Sequence, residues 1–433
     1  MAKQTDTKTA RQKYIEISYK NAGKYKYNAG DSVAVIFSGG PASGANSVIS
    51  SLALNFINAG IPLYGILKGF ENIENFGTDE LKTLEEGEHY IVFTREVAGI
   101  RGNAGVVLKT SRANPGKDIK KVEDIEDPKK NSKLNNIINA FESLNVKVAI
   151  TIGGDDTLKL ANFLHLMGFP TIHVPKTIDN DYFGIPWTFG YWSAVETAKD
   201  ALINFREDAR STDSYFIIEL MGRKTGWITY AAGVSAQATM MLAVEDFLDQ
   251  KYIDINELAK KIVDQIIARE KEKRNYGVIC VAEGLVDKLP DDKVAKEKDK
   301  HGNIYYGLTE VCKLIADAAK KEYFKRTGKN KKIIPRQIGY ETRCVRSSAF
   351  DTTLGSMLGY GAYKLFEENK FGNMVSVEDN FDIKPIPFSE LIDPETLLTK
   401  IRTVNPNKDF YKLKESLSYH VGQKNFENGN DDF

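Results

Sequence analysis

The chain has 433 residues, of which 42% are hydrophobic and 10% aromatic, so it is long enough to bury more than one sizeable core. Its 59 basic and 59 acidic residues cancel, which argues against nucleic acid as a partner and requires local cations for any anionic ligand. Three widely spaced cysteines, no apolar run of about 18 residues and no signal-peptide core predict a cytoplasmic protein without membrane association.

Residues 1–30 are basic and polar, and we expect them to form a solvated arm, with an organelle transit peptide as the alternative. The first predicted strand, 32–37, leads directly into the glycine-rich sequence GGPASGAN, which a helix at 46–58 follows. The amides of such a loop, together with the helix N-terminus, suit phosphate oxygens. A glycine turn that only packs a strand against a helix would have the same sequence. The glycine spacing does not match a dinucleotide-binding fingerprint.

A second strand is predicted at 62–68, and the basic turn KTSR follows much later in the chain. Here Lys109 and Arg112 flank two hydroxyl residues, an arrangement that could bind an anion or could simply be a solvated turn. A helix at 134–144 then leads into the most informative stretch of the chain.

That stretch, 146–181, contains a strand at 146–152, a helix at 157–167 and a second strand at 171–174. Both strands end in polar clusters, GGDD and KTIDND. Because ligands of open α/β sheets bind at the carboxyl ends of the strands, we expect the two clusters to lie together. Glycines, one lysine and several carboxylates are what a magnesium-dependent phosphoryl transfer site requires.

Further strands are predicted at 214–220, 276–281 and from 333, and further helices at 308–324 and 351–366. Several polar groups follow apolar runs in this half of the chain: MGR after 214–220, Glu245 after 238–244, and GYETRCVR after the strand that begins at 333. The charged segment 285–301 is predicted to be a solvated loop, and 421–433 to be frayed.

Taken together, these motifs resemble those of the 6-phosphofructokinases. The matching pieces occur in the family's order and are GGPASGAN at 39–46, TSR at 110–112, GGDD at 153–156, PKTIDND at 175–181, MGR at 221–223, Glu245 and GYETR at 339–343. The resemblance implies a phosphofructokinase-like α/β fold with two three-layer α/β/α lobes, mainly parallel sheets and a cleft between the lobes. The donor lobe would comprise 1–190 and 347–400, and the fructose 6-phosphate lobe 191–346 and 401–433.

The resemblance also implies glycolytic transfer of a phosphoryl group to the 1-hydroxyl of fructose 6-phosphate, by a homo-oligomer that is a dimer or tetramer. Asp179 would be the general base, Arg112 would stabilise charge in the transition state, and Thr177 would touch the sugar or the transferring group. The cofactor would be Mg²⁺, held by Asp155 and Asp181.

The other expected ligand contacts fall into two sets. The donor would bind to Gly39, Gly40, Lys109, Gly154, Asp156 and Lys176. The sugar phosphate would bind to Thr177, Asp179, Asp181, Met221, Gly222, Arg223, Glu245, Tyr340 and Arg343, with Arg346 as a possible further cation.

Two residues bear on the identity of the donor. ATP-using bacterial members resemble one another in having glycine where this chain has Asp156 and Lys176. Asp156 would oppose an α-phosphate, whereas Lys176 could pair with a donor that ends at two phosphates, which favours pyrophosphate over ATP. An ATP-dependent enzyme and a catalytically weak regulatory subunit remain alternatives. A nucleotide or lipid kinase that shares only GGD is opposed by the MGR and GYETR motifs.

Overall fold

The computed structural model describes residues 9–21, 25–295, 297 and 306–422. Its contacts divide the chain into two compact units, Met1–Ala194 with Arg343–Arg402, and Val195–Thr342 with Thr403–Phe433. The chain passes from one unit to the other after residues 194, 342 and 402, where the sequence predicts boundaries after 190, 346 and 400. This division assigns Arg343 and Arg346 to the first unit, although the sequence had grouped them with the second.

The first unit contains a seven-stranded sheet within the described residues, with strands numbered in chain order through the whole molecule. In the sheet order β11-β10-β5-β4-β1-β2-β3, the strands are Ile383–Pro387, Asn373–Val377, Thr171–Pro175, Val146–Gly153, Ser32–Phe37, Leu63–Ile66 and Tyr90–Val92. All neighbours are parallel except β10 with β11 and β2 with β3. Strands β1 and β5 are buried along their whole length, which explains their continuous apolar sequences. The carboxyl ends of β1, β4 and β5 therefore lie at the same edge of the sheet.

Helices accompany this sheet in the first unit. They are α1 (Ala10–Asn21), α2 (Ala45–Asn58), α3 (Ser132–Ser143), α4 (Asp155–Leu166), α9 (Ala349–Glu367) and α10 (Phe388–Leu391), and α5 (Tyr191–Ser211) runs from the first unit into the second. Helix α2 packs along α9, where Gly355 and Gly359 allow close approach of the two backbones.

The expectation of a solvated N-terminal arm is wrong for the described residues, because α1 packs on α4. Tyr14 is only 1% exposed, and its hydroxyl donates a 2.8 Å hydrogen bond to Oδ1 of Asn162. The basic composition of the segment concealed the tyrosine that anchors it.

The second unit contains a parallel four-stranded sheet in its described part. In the order β7-β8-β6-β9, the strands are Met240–Leu242, Gly277–Ala282, Tyr215–Leu220 and Ile333–Ile338. Its helices are α6 (Trp227–Ser235), α7 (Ile255–Lys271), α8 (Val311–Thr327) and α11 (Asp409–Leu417). A core of aliphatic side chains from α7, α8 and the sheet includes Ile262, Ile279 and Ile315, all fully buried.

Short 3-10 helices complete the described structure. They span Arg95–Ile100, Val122–Glu126, Val244–Phe247, Glu283–Lys288, Tyr306–Thr309 and Tyr340–Thr342. The predicted charged loop therefore begins in a 3-10 helix in which Leu285 and Val286 are buried, and its part at 298–301 lies outside the described residues, as do residues 423–433 of the predicted frayed terminus. Across the described ranges, no helix combines the length and apolar character needed to cross a membrane.

Candidate active site

The loop between β1 and α2 is joined to the TSR turn by backbone and side-chain bonds. The amide of Gly39 donates to the carbonyl of Ser111 at 2.8 Å, and the Thr110 hydroxyl donates to the carbonyl of Gly39 at 2.6 Å. Arg112 follows directly in this turn, so the sequence-distant motifs GGPASGAN and TSR form one structure. Lys109 is exposed and has a left-handed backbone (φ 57°).

Two cations lie against the glycines of this loop. A Cβ atom at Gly39, which has φ +87°, would lie 3.2 Å from Nζ of Lys176, and one at Gly40 would lie 2.6 Å from Nη1 of Arg343. A side chain at either position would therefore crowd a cation. The glycines keep the backbone and both positive groups close together, as phosphate binding requires.

Lys176 is the most perturbed cation of this group. It is 5% exposed, and its backbone amide donates to the carbonyl of Gly153 at 2.9 Å. Burial lowers the pKa of its ammonium group to about 7, and the charges of Arg343 and Arg112 act in the same direction. The carboxylates of Asp155 and Asp179 oppose this shift. Lys176 therefore lies within a compact group of charges of both signs.

The GGDD cluster forms the start of α4. Gly153 ends β4, and Thr157 of the first helical turn lies so close that a Cβ at Gly153 would be 2.3 Å from its hydroxyl. Asp155 and Asp156 occupy the first turn, where negative charge is favoured. The Asp156 side chain is 61% exposed and forms a 2.8 Å ion pair with Lys159. Asp156 thus faces solvent, whereas Asp155 interacts with Lys176.

The segment that follows β5 is held in a defined turn. The amide of Asp179 donates to the Thr177 hydroxyl at 3.1 Å. Asn180 is fully buried with a left-handed backbone (φ 53°), and its Oδ1 accepts from the amide of Thr188 at 3.1 Å. The two carboxylates that flank Asn180, Asp179 and Asp181, are both half-buried.

The carboxylates of Asp155 and Asp181 suit a magnesium ion whose other ligands are mainly substrate oxygens. Mg²⁺ in phosphoryl transfer sites usually binds one or two carboxylates together with phosphate oxygens. In the part of the chain that the structure describes, no three His, Cys, Asp or Glu side chains are grouped as a metal cage. Asp155 and Asp181 supply hard oxygen donors, and both lie close enough to Tyr182 to raise its pKa after the larger effect of burial.

A buried network that the sequence did not indicate connects the two clusters. Thr151 and His173, neighbours on β4 and β5, are joined by a 2.8 Å bond from Oγ1 to Nδ1. Nε2 of His173 lies 2.9 Å from the hydroxyl of Tyr182, which donates to the carbonyl of Gly153 at 3.1 Å. Burial lowers the pKa of His173 to about 3, so the ring is neutral. The sequence TIHVP of β5 does not indicate that its histidine links the two polar clusters through hydrogen bonds.

In the second unit, the MGR turn after β6 contacts a glutamate that the sequence analysis did not select. The amide of Gly222 faces Oε1 of Glu283 at 3.4 Å, and the amide of Gly284 donates to the carbonyl of Gly222 at 3.0 Å. The GYETR segment reaches the same turn through the Thr342 hydroxyl, 3.6 Å from Sδ of Met221. Tyr340 is 61% exposed, and Arg223 is half-buried.

Glu245, which was expected to contact the sugar, has backbone partners within the protein. It is 3% exposed, and its Oε1 accepts from the amides of Gly226 at 3.1 Å and Val404 at 2.9 Å. Burial raises the pKa of this carboxyl. Arg346 is exposed on the first unit.

The sequence is similar to those of known proteins over most of its length. The phosphofructokinase family model matches residues 32–366, which is more than half of the chain. The chain is 30% identical over 410 residues to the pyrophosphate–fructose 6-phosphate 1-phosphotransferase of Thermotoga maritima, covering 91% of this chain and 92% of that protein. It is 27% identical over 398 residues to the ATP-dependent 6-phosphofructokinase of Chloroflexus aurantiacus, covering 90% and 98%.

Solved structures support the fold. A pyrophosphate-dependent phosphofructokinase from Marinobacter aquaeolei matches 93% of this chain and 94% of its own with a TM-score of 0.61 at 17% identity. Phosphofructokinase from Saccharomyces cerevisiae matches 83% of this chain with a TM-score of 0.62 at 19% identity, and this chain spans 44% of that one. The predicted α/β fold is therefore confirmed, and the chain belongs to the phosphofructokinase family of phosphotransferases.

Proposed function

We propose that the protein transfers a phosphoryl group from pyrophosphate to the 1-hydroxyl of fructose 6-phosphate, giving fructose 1,6-bisphosphate and phosphate in a reversible, glycolytic reaction. The proposal combines membership of the family with one observation that bears on the donor. That observation is the buried ammonium group of Lys176 beside Gly39.

A buried cation needs a nearby anion, because removal from water disfavours the charged form. Around Lys176, Asp155 and Asp179 provide negative charge, but Arg112 and Arg343 add positive charge. A terminal phosphate in this place would favour the protonated amine and offset all three cations. Pyrophosphate concentrates its charge on two phosphates, so this compact group of cations suits it better than a donor that extends beyond the second phosphate.

In the proposed reaction, Asp179 accepts the proton of the sugar 1-hydroxyl as its oxygen attacks one phosphorus of pyrophosphate. The new O–P bond forms while the bond from that phosphorus to the bridging oxygen breaks, and phosphate leaves. Arg112 and Lys176 stabilise the charge on the transferring and leaving phosphates, and Thr177 orients the reacting groups. Asp155 and Asp181 would hold Mg²⁺, which, when bound, neutralises phosphate charge.

In the second unit, the MGR turn would bind the sugar phosphate, with Arg223 on the 6-phosphate and Tyr340 close by. Glu245 would accept a sugar hydroxyl at Oε2, because its Oε1 accepts from two backbone amides while Oε2 is buried without a hydrogen-bond partner among the described residues. Glu283, which is half-buried and lies at the MGR turn, is a second candidate for this role.

ATP as the donor is the second candidate, and the position of Asp156 favours it. Because its carboxylate is exposed and pairs with Lys159, Asp156 opposes the α-phosphate of ATP less directly than the sequence suggests.

A regulatory subunit without activity is opposed by the presence of both Asp179 and Asp181, which such a subunit has no need to keep.

The donor is tested by steady-state kinetics with Mg²⁺, fructose 6-phosphate and either pyrophosphate or ATP. We expect kcat/KM for pyrophosphate to exceed that for ATP by at least about a hundredfold, the loss that an unsuited charge at the donor site would cause. Equal or greater activity with ATP contradicts the donor assignment, and inactivity with both donors favours the regulatory alternative.

A further inference from the structure

Arg402, the last residue of the first unit, contacts the turn that carries Asp179 and Asp181. Its guanidinium group donates to the backbone carbonyl of Asn180 from Nη2 at 3.1 Å and from Nε at 3.3 Å. Its own amide donates to the carbonyl of Asp181 at 2.8 Å. One residue from a segment more than 200 positions later thus binds two consecutive carbonyls of the 179–181 turn.

The contact is part of a short antiparallel pairing. Ile401, next to Arg402, forms an isolated bridge with Tyr182, and the exposed ammonium of Lys400 lies 5.5 Å from the centre of the Phe183 ring. The segment 400–402 therefore runs alongside 181–183. This backbone pairing fixes where the guanidinium of Arg402 meets Asn180.

The turn needs such support because of its conformation. A left-handed backbone is uncommon outside glycine, and Asn180 adopts it between the two functional carboxylates. The Asn180 side chain is anchored on one side by Thr188, and its carbonyl on the other by Arg402. Asn180, which lies between the two functional carboxylates, is thus held both at its side chain and at its carbonyl.

The positive charge of Arg402 also suits a position next to the carboxylate of Asp181. An arginine guanidinium stays charged at neutral pH, so it adds a permanent positive charge next to the two functional carboxylates. A guanidinium that donates in a planar fork to one carbonyl orders the backbone more tightly than an ammonium could.

We propose that Arg402 is a positioning residue of the active site, which fixes the backbone of Asn180 and Asp181 and thereby aims the carboxylates of Asp179 and Asp181. The inference rests on the proposed function for the reaction, but not on the choice of donor, because both carboxylates would serve pyrophosphate and ATP alike. It assigns a role to a residue that the sequence motifs do not include.

The test compares Arg402→Met, Arg402→Lys and the matched control Lys400→Met, assayed with whichever donor the wild-type protein uses. Misplacement by about 1 Å can cost about a hundredfold in rate, so we expect Arg402→Met to lower kcat roughly 30- to 100-fold, with KM values within about threefold of wild type. Arg402→Lys should recover part of this loss, and Lys400→Met should be within about twofold of wild type.

A second readout does not depend on turnover. Hydrogen exchange of a peptide covering 177–183 should be faster in Arg402→Met than in wild type, while peptides from β4 and α4 are unchanged. A kcat within about threefold of wild type in Arg402→Met overturns the proposal. So does a rise in KM at unchanged kcat, which would make Arg402 a ligand contact, or faster exchange throughout the first unit, which would make it a general stabiliser.

The wild-type assay separates this inference from the proposed function. If wild type prefers ATP, the donor assignment fails and the Arg402 comparison proceeds with ATP. If wild type is inactive with either donor, the reaction itself is refuted, and unchanged exchange at 177–183 in Arg402→Met would independently refute the positioning role.

Discussion

The ammonium group of Lys176 is buried among charges of both signs, so its protonation affects stability as well as binding. Its pKa is lowered from 10.5 to about 7 in the folded protein. Between these pH values the unfolded chain holds this proton more tightly than the folded one. The free energy of unfolding should therefore rise as the pH increases from 7 towards 10.5.

This dependence can be isolated with Lys176→Met, which has no proton to lose. Without ligands, we expect the free energy of unfolding of wild type, relative to Lys176→Met, to increase with pH by up to about 1.4 kcal/mol per unit. Urea denaturation between pH 7 and pH 9.5, in steps of half a unit, measures the difference. A difference that does not change with pH would show that folding does not lower the pKa of Lys176.

Residue identity alone did not indicate Glu283 as a site residue, although both Glu245 and Glu283 follow apolar runs in the sequence. The fold places β8 next to β6 and so brings Glu283 to the MGR turn. Glu245 remains the predicted sugar contact, with Oε1 bound by the amides of Gly226 and Val404 and Oε2 buried without a hydrogen-bond partner among the described residues. The position of Glu283 depends on strand order, which local sequence does not encode.

At the scale of elements, helix α11 is joined to the second unit by a buried charge cluster. Nζ of Lys414 is 2.6 Å from Oδ1 of Asp246, and the hydroxyls of Tyr230 and Tyr411 also donate to this carboxylate. Lys414 is 1% exposed, and its ammonium lies 4.1 Å from the centre of the Tyr411 ring. Lys414 also pairs with Glu415 of the same helix, whose side chain is 48% exposed, so Asp246 is the partner through which this ion pair holds α11.

Lys414→Met tests the contribution of this ion pair. Removing one partner of a buried pair leaves the other charge uncompensated, and we expect the second unit to lose about 3–5 kcal/mol of its free energy of unfolding. Chemical denaturation, followed by Trp227, which stacks on Phe410 of the same helix, reports the loss.

The control is Lys412→Met, at an exposed position of the same helix, which should change the free energy of unfolding by no more than about 0.5 kcal/mol. A loss below about 1 kcal/mol in Lys414→Met would mean that the pair contributes little to holding α11.

Most elements that the sequence predicts correctly have a clear apolar pattern. They are the buried strands β1, β4, β5, β6 and β8 and the helices α2, α3, α4, α8 and α9, all indicated to within a few residues. The start of β9 is indicated as well, although Pro335, Arg336 and Gln337 interrupt its apolar pattern. Two other elements are not indicated. Helix α1 depends on Tyr14 and Asn162 from another helix, and the half-buried strand β11 takes its place by pairing with β10.

At the scale of the molecule, the motifs identified the family correctly but did not show which distant segments of the chain meet. Motif spacing could not show that Arg343 belongs with Gly40 in the first unit, or that Arg402 reaches Asn180 from 222 residues away. Such contacts depend on how the chain returns to the first unit after residue 342. Side chains that act through the backbone of another segment carry no local signature.

Use of pyrophosphate as a substrate can be examined in the reverse reaction, in which pyrophosphate is a product. Wild-type protein, Mg²⁺, fructose 1,6-bisphosphate and phosphate, without any nucleotide, would be followed by ³¹P NMR, with Asp179→Asn as the matched inactive control. We expect pyrophosphate and fructose 6-phosphate to accumulate together in equal amounts with wild type and not with Asp179→Asn. Absence of pyrophosphate, from a preparation that phosphorylates fructose 6-phosphate with ATP, would contradict this expectation.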